Sequence, residues 1–349
     1  MIHTQDDLRQ FQALPLDVKV LMTQERIRTW INEYGSSGVY ISFSGGKDST
    51  VLLDIVRNKM GYDIPAIFVN TGLEYPSVRK FAESKDNVYT IRPQLNFREV
   101  ISRYGYPIIS KEVALYIHQM QRPQTEKNAI TRNLRLNGIR SDGAKVSVGK
   151  LPDRYRFLID APFRISHLCC DQMKKKPLKH IDKRPLVATM AEESRVRKNN
   201  WMRYGCNAFA LKNPISAPMS FWTEQDILQY IKENNLKIAE AYGDVIEIPN
   251  LVTTEYKTTK ANRTGCIFCM FGILKELDRF IKLNEDEPQL CDYVMRGGCF
   301  EDGWWIPTKE GLGYWFVIEY LNKYGNMNIE MPNREKYLAL RTEETDKYL

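Results

Sequence analysis

Short apolar, β-branched runs alternate along the chain with longer stretches whose apolar residues recur at helical spacing. Val39–Phe43, Ala66–Asn70, Val88–Ile91 and Val187–Met190 each predict a buried strand. Between them, Val51–Val56 opens a helix. Leu8–Tyr34 predicts another, with Leu14, Val18, Val20, Leu21, Ile27, Trp30 and Ile31 on a loosely periodic apolar face. Ser220–Ile231 predicts a helix start capped by Thr223, with Asp226 three residues on as a capping-box variant. Strands alternating with helices predict an α/β fold, a doubly wound parallel sheet whose ligands sit at the carboxyl ends of the strands. Residues 122–158 are polar, with turns at Asn137-Gly138 and Ser141-Asp142-Gly143. They read as an insertion on the rim, either a substrate-contacting flap or a solvated loop. After Cys269 a helix is expected through Leu283. Trp304, Trp305, Tyr314, Trp315 and Phe316 then read as the core of a small cap, with base stacking as the alternative. The expected domains are residues 1–215, nucleotide-binding with the insertion at about 122–158, and 216–349, a C-terminal helical region that completes the cysteine cluster.

Composition narrows this picture. A chain of 349 residues with 43% hydrophobic content can bury a sizeable core, and no apolar stretch is long enough to span a bilayer. The start, Met-Ile-His-Thr-Gln-Asp-Asp, lacks the basic and apolar segments of a signal peptide, so a cytoplasmic location is expected. Seven cysteines in such a chain suggest thiols, metal ligands or redox chemistry rather than a disulfide scaffold. The net charge of +7 suits a nucleic-acid partner or an anionic nucleotide equally well. Lys174–Arg203 holds ten Lys or Arg against three Asp or Glu, which is either a solvated face or a phosphate or nucleic-acid contact.

The chemistry starts at Tyr40–Thr50, Tyr-Ile-Ser-Phe-Ser-Gly-Gly-Lys-Asp-Ser-Thr. Ser44, Gly45 and Gly46 leave the backbone uncrowded, so successive N–H groups can turn toward an anion. The following helix N-terminus adds partial positive charge, Lys47 a full one, and Ser49 and Thr50 hydroxyl donors. Asp48 beside a phosphate needs a cation between them, and reads as a Mg²⁺ ligand or a loop brace. The spacing is not that of a Walker A loop.

Ser-Gly-Gly-Lys-Asp-Ser resembles the PP-loop of the ATP pyrophosphatase superfamily, whose folds are adenine nucleotide alpha-hydrolase-like. Asn70-Thr71-Gly72-Leu73-Glu74-Tyr75-Pro76 is similar to the Asp-Thr-Gly-x-Glu-Phe/Tyr-Pro segment of the sulfonucleotide reductases, with Asn70 in place of the usual Asp. Ala191–Arg197 resembles the family's Gly-x-Arg-x-x-Glu-Ser-x-x-Arg segment, with Met190 where an Arg is often found. Cys169-Cys170 followed by Cys266-x-x-Cys269 looks like the 4Fe-4S pattern of the adenylyl-sulfate reductases; a zinc site or buried thiols are the alternatives. Together these motifs resemble the phosphoadenosine phosphosulfate reductase family, including its DndC-like sulfurtransferase and reductase-like members.

The resemblance implies a PP-loop domain with an iron–sulfur appendage, binding ATP or an adenylyl sulfate nucleotide with Mg²⁺. It implies nucleotide contacts at Ser44, Gly45, Gly46, Lys47, Asp48, Ser49, Thr71, Gly72, Glu74, Arg195 and Arg197, and a cluster on Cys169, Cys170, Cys266 and Cys269. The reductases carry a catalytic cysteine on a C-terminal tail. Here no cysteine follows Cys299, which weakens that reading. Cys206, just after the Arg195/Arg197 segment, is expected near the nucleotide rim. There it is a nucleophile or persulfide carrier with a pKa lowered by neighbouring cations, a core cysteine, or a fourth cluster ligand replacing Cys169. Lys47, Asp48 and Cys206 are the candidate catalytic residues.

The first functional expectation is an ATP-dependent sulfurtransferase that adenylylates an acceptor, a nucleic acid or a small molecule, with sulfur from a donor such as a cysteine desulfurase. The second is a reductase of adenylyl sulfate or its 3′-phosphate, using a thioredoxin-like reductant. The third is a non-catalytic iron–sulfur nucleotide sensor acting on DNA.

Overall fold

The structure, a computed structural model, describes residues 2–249 and 254–349. The chain divides into two compact units, each assembled from two separate stretches: Met1–Pro93 with Pro177–Cys266, and Gln94–Lys176 with Ile267–Leu349. The expected boundary after residue 215 falls inside the first unit, and residues 122–158 belong to the second.

The first unit is built on a six-stranded sheet: β1 Val39–Phe43, β2 Ala66–Val69, β3 Val88–Ile91, β4 Arg184–Val187, β5 Asn207–Ala208 and β6 Ile215–Ser216. The order is β3-β2-β1-β4-β6-β5, parallel except for the β5–β6 pair. Ile41 pairs with Ala66 on one side and with Leu186 on the other. Val39, Tyr40, Ile41 and Phe43 are all buried, as a strand covered on both faces requires. Each such aliphatic or aromatic side chain stabilises the fold by about 1.5–3 kcal/mol. The strand order turns back at β1, so the crevice beyond the carboxyl ends of β1 and β4 is the natural ligand position.

Several elements differ from expectation for identifiable reasons. Leu8–Tyr34 is two helices, Gln5–Gln12 and Leu16–Tyr34, because Pro15 cannot continue the first and instead caps the second. The fourth strand lies earlier than Val187–Met190. Pairing with β1 ends at Val187, and Met190 and Ala191 are apolar because they pack into the core. Asn70 leaves β2 to begin a turn. The helix Glu224–Glu233 has the expected cap, with Thr223 and Asp226 exchanging hydrogen bonds. Asp226 also pairs with the buried ammonium of Lys19 at 2.7 Å, tying this helix to Leu16–Tyr34.

In the second unit, the stretch read as a loop contains the helix Glu126–Asn137, started by Thr125 and stopped by left-handed Gly138. None of its residues is buried, which is why its apolar periodicity is faint. The helix expected after Cys269 forms as Arg279–Asp286, behind a short turn at Ile273–Lys275. The aromatic-rich stretch is a core, as the cap reading expected. The helix Tyr314–Gly325 buries eight residues from Tyr314 to Leu321, and Trp305 packs at a tilt against Phe316 with centroids 4.5 Å apart. No helix among the described residues is long and apolar enough to cross a membrane.

Candidate functional site

The Ser44–Thr50 loop joins β1 to the helix Lys47–Asp54 at the strand-order reversal. Gly45 has φ +71°, and a Cβ there would sit 2.8 Å from the Val78 carbonyl oxygen, so only glycine fits. The loop's groups are satisfied by hydroxyls. Ser44 N–H donates to Ser49 Oγ at 3.2 Å, Gly46 N–H to Ser44 Oγ at 3.3 Å and Lys47 N–H to Tyr242 Oη at 3.2 Å. Ser49 and Thr50 hydroxyls donate back to the Gly46 carbonyl at 3.0 and 2.9 Å. Tyr242 Oη in turn lies 2.5 Å from Thr264 Oγ1.

Lys47 is the centre of charge. Its side chain is 5% exposed, and its ammonium lies 3.0 Å from Glu224 Oε1, 3.1 Å from the Asn262 carbonyl and 3.6 Å from Asp48 Oδ1. Burial alone would lower its pKa. The carboxylates of Asp48 and Glu224 outweigh that and push it up, so the ammonium stays charged. Asp48 is the costly partner. Burial raises its pKa, Glu224 adds like-charge repulsion, and Lys47 and Arg263 only partly offset them. Its Oδ1 is buried without a hydrogen bond. Glu192 is raised as well, by burial first and then by Glu224 and Asp226, although its carboxylate accepts the Glu224 N–H at 2.5 Å.

The other expected contacts fall in several places. Thr71 and Glu74 lock onto each other: Thr71 Oγ1 donates to Glu74 Oε1 at 2.6 Å and Thr71 N–H to Oε2 at 3.1 Å. The Gly72 N–H donates to Asn70 Oδ1 at 3.1 Å, so Asn70 serves this turn without a charge. Arg195 is exposed at the first position of the helix Arg195–Tyr204. Arg197 pairs with Glu193 and feels both Asp48 and Arg263, which brings it to the Lys47 cluster.

Arg197 and Cys206 line one pocket of about 250 Å³, with Thr189, Met190, Trp201 and Ser220. Cys206 thus shares a pocket with Arg197, but its thiol is held toward the neutral form. Burial pushes its pKa up, and the donors around it (Ser220 Oγ at 3.4 Å, with Arg26 and Trp201) do not reverse that. The expectation of a lowered value is corrected: cations act on the sulfur, and desolvation outweighs them.

Cys169 is buried, while Cys170, Cys266 and Cys269 are partly exposed. Cys266 closes the first unit, and the other three belong to the second. Among the described residues no group of three or more His, Cys, Asp or Glu is gathered as a metal-ligand set.

Sequence reading missed Glu192, Glu224, Tyr242, Asn262, Arg263 and Thr264 as parts of the site. Two signals were available. Glu224 opens a capped helix, where an acid reads simply as a complement to the helix dipole, and Asn262-Arg263-Thr264 ends two residues before Cys266.

Residues 38–153 match the family model described as the phosphoadenosine phosphosulfate reductase domain. The chain is 38% identical over 73 residues to an uncharacterized protein of Methanocaldococcus jannaschii; the match covers 20% of this chain and spans only 15% of that protein's length. Among solved structures, it is similar to a phosphoadenylyl-sulfate reductase from Candida auris in its phosphate complex. That likeness has a TM-score of 0.35 and 13% identity, over 69% of this chain and 91% of that one.

Proposed function

We propose, from the match of residues 38–153 to the phosphoadenosine phosphosulfate reductase domain, that the chain is a nucleotide-binding enzyme of sulfur chemistry that uses ATP to activate an acceptor. The observation that carries this is Lys47: a nearly buried, firmly protonated ammonium at the first turn of a helix, beside a loop of backbone donors. A cation so placed, with the helix dipole behind it, stabilises charge developing on a departing pyrophosphate. In the proposed reaction an acceptor oxygen attacks the α-phosphorus of ATP, forming an O–P bond as the bond to pyrophosphate breaks. A sulfur nucleophile then displaces AMP from the activated carbon. Asp48, whose buried Oδ1 has the Lys47 ammonium 3.6 Å away and no closer hydrogen bond, is suited to a Mg²⁺ ion that would accompany the phosphates. Arg197 and Arg263 supply further positive charge. A 4Fe-4S cluster on Cys169, Cys170, Cys266 and Cys269 belongs to the proposal on sequence spacing alone, and no step is routed through it. A nucleic-acid acceptor is supported only by the basic Lys174–Arg203 tract.

The test is ATP–pyrophosphate exchange across candidate acceptors by protein purified anaerobically. Exchange that depends on acceptor and is abolished by Lys47→Ala is expected. Sulfite release from adenylyl sulfate or its 3′-phosphate with a thiol, without any exchange, overturns this reading in favour of a reductase. Nucleic-acid binding and biological activity that both survive Lys47→Ala overturn it in favour of a regulator.

A further inference from the structure

The donors a phosphate chain would use at the cradle are already engaged: Ser44 and Gly46 N–H by hydroxyls of the loop, the Lys47 ammonium by Glu224 and Asp48, and the Lys47 amide and ammonium also by Tyr242 and Asn262. Tyr242 Oη accepts the Lys47 N–H at the helix N-terminus, where a phosphate oxygen would sit. The Asn262 carbonyl accepts from the Lys47 ammonium. Thr264 Oγ1 holds the Tyr242 hydroxyl at 2.5 Å and would lie 3.9 Å from a Cβ placed on Gly46, so it reaches the same loop. Tyr242 is buried and burial raises its pKa, so it meets the loop as a neutral hydroxyl. A neutral hydroxyl and a carbonyl are weaker acceptors for these donors than a phosphate oxyanion, since charge-assisted hydrogen bonds are roughly twice as strong. Two residues past Thr264 stands Cys266.

We propose that Tyr242 and the Asn262–Thr264 segment are exchangeable ligands of the cradle, displaced by the oxyanions of a nucleotide's phosphate chain, and that their displacement moves the segment ending in Cys266. The inference rests on the reading of the cradle as a phosphate site. It adds that two groups not previously assigned to binding compete with the substrate, and that nucleotide occupancy and the Cys266 segment are thermodynamically linked. Linkage is reciprocal: whatever holds residues 262–266 in place weakens nucleotide binding by the factor by which nucleotide loosens them.

Hydrogen exchange of the full-length protein, read by mass spectrometry with and without Mg·ATP or inorganic pyrophosphate, tests this. Nucleotide is expected to slow exchange in residues 44–50 and to speed it in residues 259–266. Tyr242→Phe and Thr264→Val are each expected to loosen residues 259–266 without any nucleotide, and to tighten pyrophosphate binding roughly fivefold, the scale of one neutral hydrogen bond removed from the competitor. Two independent variants guard against one that merely misfolds. Protection of residues 44–50 with residues 259–266 unchanged overturns this inference and leaves the cradle intact. Weaker pyrophosphate binding by both folded variants also overturns it, and makes Tyr242 a direct phosphate donor instead. No protection of residues 44–50 by either compound overturns the phosphate reading itself, and this inference with it.

Discussion

Two loops leave adjacent strands of the same sheet at the same end, and they are built in opposite ways. Asn70–Glu74, after β2, closes on itself: Asn70, Thr71 and Glu74 satisfy the turn's own amides within four residues. Ser44–Thr50, after β1, is only partly self-sufficient. Its lysine amide and ammonium are met by Tyr242, Glu224 and Asn262, from the far end of the unit's sequence. A turn that bonds to itself has little to give a ligand. A loop whose donors are held by distant groups can trade them, and it also senses where those groups are. Both segments lie within the residues that match the family model, yet only Ser44–Thr50 has its donors held by groups distant in sequence.

The contrast can be tested at matched positions. The largest effect is expected for Gly45→Ala. It forces a Cβ to 2.8 Å from a backbone oxygen at φ +71°, whereas Gly72, at φ +74°, has nothing within 4 Å of a Cβ. Gly45→Ala should cost about 3 kcal/mol or more in chemical denaturation, Gly72→Ala only about 1 kcal/mol from the left-handed backbone. Equal losses would erase the distinction. Next, Lys47→Ala should weaken pyrophosphate binding roughly a hundredfold by calorimetry, the scale of a lost charge-assisted contact, while Glu74→Gln should change it by no more than about twofold.

A smaller effect concerns Asp48. Its pKa is raised in the folded protein, so the protonated form is the one folding favours. The associated stability is present below the ordinary carboxylate range and is lost as pH rises through the raised value. Asp48→Asn should therefore raise the melting temperature at pH 7 by about 2 °C, with the gain fading as pH falls through the raised value and gone below the ordinary carboxylate range, while Mg·ATP binding is impaired. Loss of stability at neutral pH would show that Lys47 needs this carboxylate more than burial penalises it. The smallest is Thr71→Val, about 1 kcal/mol in denaturation, with nucleotide affinity unchanged.

The legible parts of this fold were those whose physics is local. Val39–Phe43 and the Gly-Gly-Lys turn after it declare themselves within a dozen residues. So does the Thr223 cap, because strand burial, glycine conformation and capping each depend on near neighbours in sequence. The groups that finish the site were hidden, because nothing near Tyr242 or Asn262 marks a bond to Lys47, respectively 195 and 215 positions away. Apolar patterning also misled where it reported packing rather than pairing, as at Met190, and failed where a helix had no buried face, as at Glu126–Asn137. Cys206 shows a third limit. Nearby cations were inferable from composition, but the desolvation that outweighs them follows only from the packed surroundings.

The placement of β1 between β2 and β4 has a consequence for how the protein is made. β2 emerges from the ribosome soon after β1, but β4 does not begin until Arg184. At ~5–20 residues per second, the inner edge of β1 stays open for roughly 7–30 s of synthesis. Through that wait a bare, apolar strand edge is offered to any passing chain. The nascent polypeptide is then a natural client for a chaperone, and slowing or pausing translation between β3 and β4 should cost soluble yield more than the same pause after residue 266.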